Sequence, residues 1–225
     1  MKRYVLTIFI LILFYLPVFS LDVVGTTWGP EKRGFGFYLT FNTAKDFKIE
    51  FSGEGGGQSV IGTYSQNQSD IILSIVTVNA WGELPSYTKQ KEIKCKIIET
   101  DSLFSKYKLV GSGGLELWNL DHKPNYGEEC MVDGFVVYAY SADGKVNENA
   151  RIREGPGLQY KFYTFSFNDF DEVHSSLPKG FRVTILGFSA NKTIVDGVEQ
   201  PWYYCVFQKS MWEDQYCWIW GGLID

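Results

Sequence analysis

Large apolar side chains alternate with small or polar ones along most of the chain. Gly34 to Phe41 has this pattern, and Asp46 to Phe51 keeps it cleanly, with Phe47, Ile49 and Phe51 on one side. Val60 to Ser65, Ile71 to Val78, Glu92 to Glu99, Tyr107 to Val110 and Leu115 to Leu120 continue the series, each bounded by Gly, Asn, Asp, Ser or Pro. A period of two sends alternate side chains to opposite faces of a strand. Such segments, recurring every ~8–12 residues, predict antiparallel sheets closed as a sandwich or a barrel. No stretch of helical length holds a capped i, i+3, i+4 apolar stripe, so an all-β chain with little helix is expected.

The pattern breaks at His122 to Glu129, which is polar and rich in turn residues. Met131 to Tyr140 then reads as a hairpin turning at Asp133-Gly134, and Ser141-Ala-Asp-Gly144 as a second turn cluster. This divides the chain into an N-terminal antiparallel β domain over 21–143 and a smaller β domain over 144–225, with the Cys130 hairpin compatible with either side. Near the C-terminus, Trp202 to Phe207 and Gln215 to Trp220 read as strands of a long hairpin, with about seven residues between them.

Residues 1–20 have a different character. Lys2 and Arg3 precede a run from Tyr4 to Phe19 that is apolar apart from Thr7, and Val18 and Ser20 are small enough for a signal-peptidase site. The run is shorter than the ~20 residues that span a bilayer, so it reads as a secretory signal cut after Ser20. The expected destination is periplasmic or extracellular, with no membrane span after cleavage. An oxidising route makes the even set Cys95, Cys130, Cys205 and Cys217 read as disulfides. Cys205 and Cys217 lie on the two arms of the predicted hairpin, within cross-strand reach, which leaves Cys95 with Cys130.

Composition narrows the functional classes. At 45% hydrophobic and 17% aromatic, the chain has the apolar surface that a disordered protein lacks. The net charge is −5, and loss of Lys2 and Arg3 would take it to −7. Such a chain repels phosphate backbones, so nucleic acid is not an expected partner. Catalytic signatures are thin. His122 and His174 are the only histidines, and there is no His-Glu-x-x-His or Gly-x-Ser-x-Gly motif. Glu54-Gly-Gly-Gly57 lacks the Lys-Ser/Thr of a phosphate loop and reads as a hairpin tip. Asp169, Asp171 and Glu172 form an acidic run without the glycine and distant glutamate of a calcium loop. A papain-like site needs a free cysteine near a histidine, which paired cysteines would deny. No catalytic residue, metal ligand or cofactor is therefore expected.

The C-terminal segment carries the most specific motif. Asn149-Ala-Arg-Ile-Arg-Glu-Gly-Pro-Gly157 is followed by Lys179-Gly-Phe-Arg-Val183, then Trp202-Tyr-Tyr-Cys-Val206, then Trp218. In this order the segment resembles the bacterial SH3-like domain family, whose pattern is roughly Asn-x-Arg-x-Gly-Pro, Lys-Gly-x-x-Val, Trp-Tyr-x-Val and a closing Gly-Trp-Val. Cys217 stands where the closing glycine is usual, and Phe162 to Ser176 looks like an insertion. The resemblance implies a small β-barrel that binds peptidoglycan peptides. Independently of the family, Asn149 suits a turn and Gly155-Pro156-Gly157 a bend that allows positive φ. Ile152, Val183, Ile185, Val206 and Ile219 suit a small core, and Trp202 and Trp218 are large enough to fill it. Tyr203, Trp212 and Trp220 are the candidates for an exposed ligand platform, since aromatic faces suit sugar rings or extended peptides.

In the first domain, Gly25-Thr-Thr-Trp28 ahead of six or seven strands weakly resembles a lipocalin-like barrel, with one residue more than the usual Gly-x-Trp. That resemblance implies the alternative function, a carrier of a small apolar ligand. The leading expectation is an exported, non-enzymatic cell-envelope protein whose partner is peptidoglycan or another envelope component.

Overall fold

The structure is a computed structural model that describes residues 21–32, 34–52, 57–80, 82, 84–167, 173–210 and 213–225. The signal read over residues 1–20, Glu54, the acidic run 168–172 and Trp212 lie outside the described residues.

Eight strands close an antiparallel barrel in chain order: β1 (Thr27–Gly29), β2 (Gly36–Phe41), β3 (Asp46–Ser52), β4 (Ser59–Asn67), β5 (Asp70–Asn79), β6 (Glu92–Glu99), β7 (Tyr107–Gly111) and β8 (Leu115–Asn119). The closing pair sets Trp28 opposite Asn119. Alternation explains which residues turn inward: Leu39 and Phe41 on β2, Phe47 and Ile49 on β3, Ile71 and Leu73 on β5, and Ile93 and Ile97 on β6 are all buried. Trp28 is fully buried and donates its indole N–H to Thr26 Oγ1 at 2.8 Å. Phe41 and Tyr64 meet edge to face at 4.6 Å. At ~1.5–3 kcal/mol per large side chain buried, this filled interior supplies much of the barrel's stability. The β4–β5 ladder carries a bulge, with Val76 of β5 the extra residue between the pairs Ile61–Thr77 and Gly62–Ile75. A Cβ at Gly62 would run into the Ser74 carbonyl and the Phe47 ring, so only glycine lets them approach β4 this closely beside the bulge.

The second module is a five-stranded antiparallel sheet of β9 (Glu129–Val132), β10 (Phe135–Lys145), β11 (Arg182–Val195), β12 (Val198–Gln208) and β13 (Asp214–Trp220), in the order β13-β12-β11-β10-β9. The hairpin turn expected at Asp133-Gly134 is present, with φ of 50° and 83° at the two residues, as a primed two-residue turn requires. The turn cluster expected at Ser141–Gly144 is instead continuous strand. Asp143 pairs with Thr184 and Gly144 with Val183, beyond a bulge between Ala139 and Ala142. Through β10 the Cys130 hairpin therefore joins the second sheet.

Both faces of this sheet are covered. On one, the connection between β10 and β11 lays Val146, Ala150, Ile152, Phe165 and Leu177 over Val183, Ile185, Cys205, Phe207, Cys217 and Ile219. On the other, Trp202, Tyr204, Trp218 and Trp220 pack with Val137, Ala139 and Leu103, the last contributed by the barrel's β6–β7 connection. Val206, expected in the small core, is half-buried and faces away from it, because its neighbours Cys205 and Phe207 take the inward positions.

Leu103 is one of several ties between the modules. Its N–H donates to the Met131 carbonyl at 3.0 Å, and the Met131 N–H donates to the Asp101 carbonyl at 2.6 Å. Lys32 pairs with Asp133 at 2.7 Å and Lys106 with Glu128 at 2.8 Å. Phe104 meets the Tyr216 ring at 5.5 Å. Among the described residues, no helix is long and apolar enough to cross a membrane.

Candidate functional site

The segment that carries the Asn-x-Arg motif runs alongside β13. Arg153 exchanges backbone hydrogen bonds with Trp218 at 2.9 and 3.0 Å, which fixes the motif against the sheet edge. The Asn149 side chain accepts from the Lys179 N–H at 3.1 Å. Its role is thus to tie two distant loops together, where the sequence suggested a local turn. Gly155 and Gly157 do not use positive φ. They leave room instead: a Cβ on Gly155 would strike the Tyr160 ring at 2.7 Å, and one on Gly157 would strike the Gln159 side chain. Arg153 Nη1 donates to the carbonyls of Leu158 at 3.0 Å and Tyr160 at 2.6 Å, which closes this loop, and its guanidinium lies 6.0 Å from the Trp202 ring.

Beside these groups lies a groove of about 250 Å³, lined by Asn149, Arg151, Arg153, Leu158, Val195, Trp202, Trp220 and Leu223. One residue holds both indoles: Thr193 Oγ1 accepts from Trp202 Nε1 at 2.8 Å, and the Thr193 carbonyl accepts from Trp220 Nε1 at 3.1 Å. Arg151 is exposed, with its guanidinium 5.0 Å from the Phe162 ring. Among the described residues neither arginine has a carboxylate partner. The groove therefore sets the edges of two firmly held indoles beside two arginines that have no carboxylate partner among the described residues. That combination suits a chain bearing carboxylates and small apolar groups.

Of the sequence-predicted platform residues that are described, Tyr203 and Trp220 do not come together. Trp220 lines the groove but is only 8% exposed. It shares a face with Trp218, since residues two apart on a strand point the same way, and with its cross-strand partner Trp202. Tyr203 points to the opposite face, half-buried against the small core, where burial raises its phenol. Trp202 and Trp218, expected as filling, are buried at 2% and 1% exposure. The groove residues that sequence reasoning assigned only to a family pattern are Arg151 and Arg153. Their two-residue spacing ahead of Gly155-Pro156 was the available signal.

The predicted disulfides are corrected by the structure. Cys95, Cys130, Cys205 and Cys217 are all free and buried. Cys205 and Cys217 do stand opposite each other in register, as the hairpin reading requires, but they are not bonded. Burial pushes Cys95 up to about 12 and Cys130 up to about 11, and it holds Cys205 and Cys217 higher than an ordinary thiol as well. Where a thiol hydrogen bond is present, it goes to a nearby backbone carbonyl, as in Cys95 to Ile93 and Cys130 to Glu128. Raised thiol pKa values are the reverse of what a nucleophilic cysteine needs.

The histidines have packing partners. His122 Nδ1 lies 3.0 Å from Asn119 Oδ1, which also accepts from the His122 N–H, and its ring meets Tyr107 at 5.7 Å. His174 packs on Phe167 at 5.4 Å. Among the described residues no three His, Cys, Asp or Glu side chains are grouped to hold a metal ion. Comparison of the chain with protein-family models, with curated proteins and with solved structures finds no match in any of the three.

Proposed function

We propose that the protein is an exported, non-catalytic cell-envelope protein whose C-terminal, SH3-like module binds a peptidoglycan peptide. The observation that carries this reading is the groove between the Asn149–Arg153 segment and the paired indoles of Trp202 and Trp220. Stem and cross-bridge peptides are short and extended and carry carboxylates beside small apolar side chains. Arg151 and Arg153 supply positive charge for the carboxylates, and Trp220, Leu158 and Leu223 supply apolar contact. The chain's net charge of −5 disfavours general attraction to anionic wall polymers. Recognition then rests on this local cationic pair. The alternative, a carrier of an apolar ligand in the first barrel, loses support because Trp28, Phe41, Phe47 and Leu73 fill that interior.

Co-sedimentation with purified peptidoglycan sacculi tests the reading. The protein pellets with sacculi, and Arg151→Glu, a change at an exposed side chain, reduces the bound fraction by about tenfold, whereas Arg151→Lys retains most of it. A protein that stays in the supernatant with and without sacculi would contradict it.

A further inference from the structure

A separate crevice runs between the two modules. It consists of two adjoining hollows of about 170 and 250 Å³ that share Phe104, Lys123 and Leu186. It has no residue in common with the Arg151–Trp220 groove. Phe104 comes from the barrel's β6–β7 connection and Lys123 from the segment after β8, while Leu186 belongs to β11 of the second sheet. The ion pairs Lys32–Asp133 and Lys106–Glu128 and the Leu103–Met131 hydrogen bond hold the two walls, so the crevice is formed before any ligand arrives.

Two bulges of the second sheet meet at this crevice. Tyr140 and Ser141 on β10 face the single residue Leu186 on β11, between the pairs Ala139–Gly187 and Ala142–Ile185. Leu186 is in turn an extra residue relative to β12, between the pairs Ile185–Cys205 and Gly187–Tyr204. Bulge residues fall out of register, and the strand bends where they sit. Tyr140, Ser141 and Leu186 all line the first hollow. The crevice thus brings the apolar side chains of Phe104 and Leu186 together at the irregular part of the sheet.

Charge is arranged around it in both signs. Lys123 borders both hollows, is exposed, and has no carboxylate partner among the described residues. Glu31 and Asp214 border the second hollow, and the Ser102 hydroxyl donates to Glu31 Oε1 at 2.7 Å, which orients that carboxylate. We infer that the crevice is a second binding site, for a short zwitterionic peptide: its carboxylate at Lys123, its ammonium group at Glu31 and Asp214, and its apolar side chains over Phe104 and Leu186. This inference does not depend on the groove reading.

Isothermal titration of the protein with the dipeptide Leu-Phe, N-acetyl-Leu-Phe and Leu-Phe amide tests it. Leu-Phe binds, and blocking either terminus weakens binding by about tenfold or more. Lys123→Gln weakens the free dipeptide by about tenfold and abolishes the penalty for amidation. Three results would overturn the inference: no binding of Leu-Phe, equal affinity for the free and blocked forms, or a Lys123→Gln variant that still distinguishes the amide. Loss of Leu-Phe binding in Arg151→Glu would place the dipeptide in the groove and overturn it too.

Discussion

Cys95, Cys130, Cys205 and Cys217 each sit on a strand with the side chain buried, and each holds its proton more tightly than a free thiol. A thiol whose native pKa is raised favours the folded state below its unfolded value near 9. That contribution is lost as pH climbs through the native values of about 11 and 12 at Cys130 and Cys95. Two outcomes are expected. A thiol reagent at pH 8 labels essentially none of the four in the native protein and all four after denaturation. Melting temperature also declines as pH rises above about 9, and less steeply once Cys95 is replaced by alanine or valine. Prompt labelling of the native protein would contradict the buried, unbonded assignment. The sequence showed that Cys205 and Cys217 would face each other across a hairpin. It did not show whether they are bonded, because register fixes proximity and not oxidation. Trp220, expected on an exposed platform apart from Trp218, shares its face instead, and how deeply that face is covered depends on Leu103, more than a hundred residues earlier in the chain.

Among elements, β2 to β8 were legible to within a few residues, because each buries one face with a period of two over much of its length. β1 was not, since three residues around Trp28 give no period to read. The far half of β10 was not legible either. Ser141-Ala-Asp-Gly144 has turn composition, but the bulge carries it on as strand, and Gly144 leaves space that Ile224 and Ile185 fill. Gly62 gives the corresponding test in the barrel. Gly62→Ala is expected to lower unfolding free energy by about 1–3 kcal/mol, as overpacking into backbone and a ring does. Chemical denaturation measures it, and an unchanged midpoint would mean the close approach at Gly62 relaxes freely.

At the scale of the whole molecule, the two modules share a core, because the β6–β7 connection of the barrel adds Leu103 to the second sheet's apolar face. Leu103 is 6% exposed, and Leu103→Ala is expected to cost about 2–5 kcal/mol, measured by denaturant titration. Glu128 adds a pH-dependent tie. The Lys106 side chain and the Asn125 N–H bond its carboxylate and lower its pKa. A lowered native pKa contributes stability above the ordinary carboxylate value, and that stability is lost as pH falls through the native one. Glu128→Gln should therefore flatten the decline in melting temperature between pH 6 and pH 3. None of this junction was legible in the sequence, since the residues that meet there come from segments far apart in the chain. The groove was half legible: Asn149, Arg151 and Arg153 stood out as a motif, while the contribution of Thr193, which fixes both indoles, carried no local signal.

The central claim, that the Arg151–Trp220 groove holds a peptidoglycan peptide, is tested most directly by nuclear magnetic resonance of the ¹⁵N-labelled protein titrated with soluble peptidoglycan fragments. The indole N–H signals of Trp202 and Trp220 and the backbone signals of Arg151 and Arg153 are expected to shift together and saturably, while the Trp28 indole inside the barrel stays in place. Signals that do not move, or shifts confined to Trp28 and the barrel interior, would contradict the account.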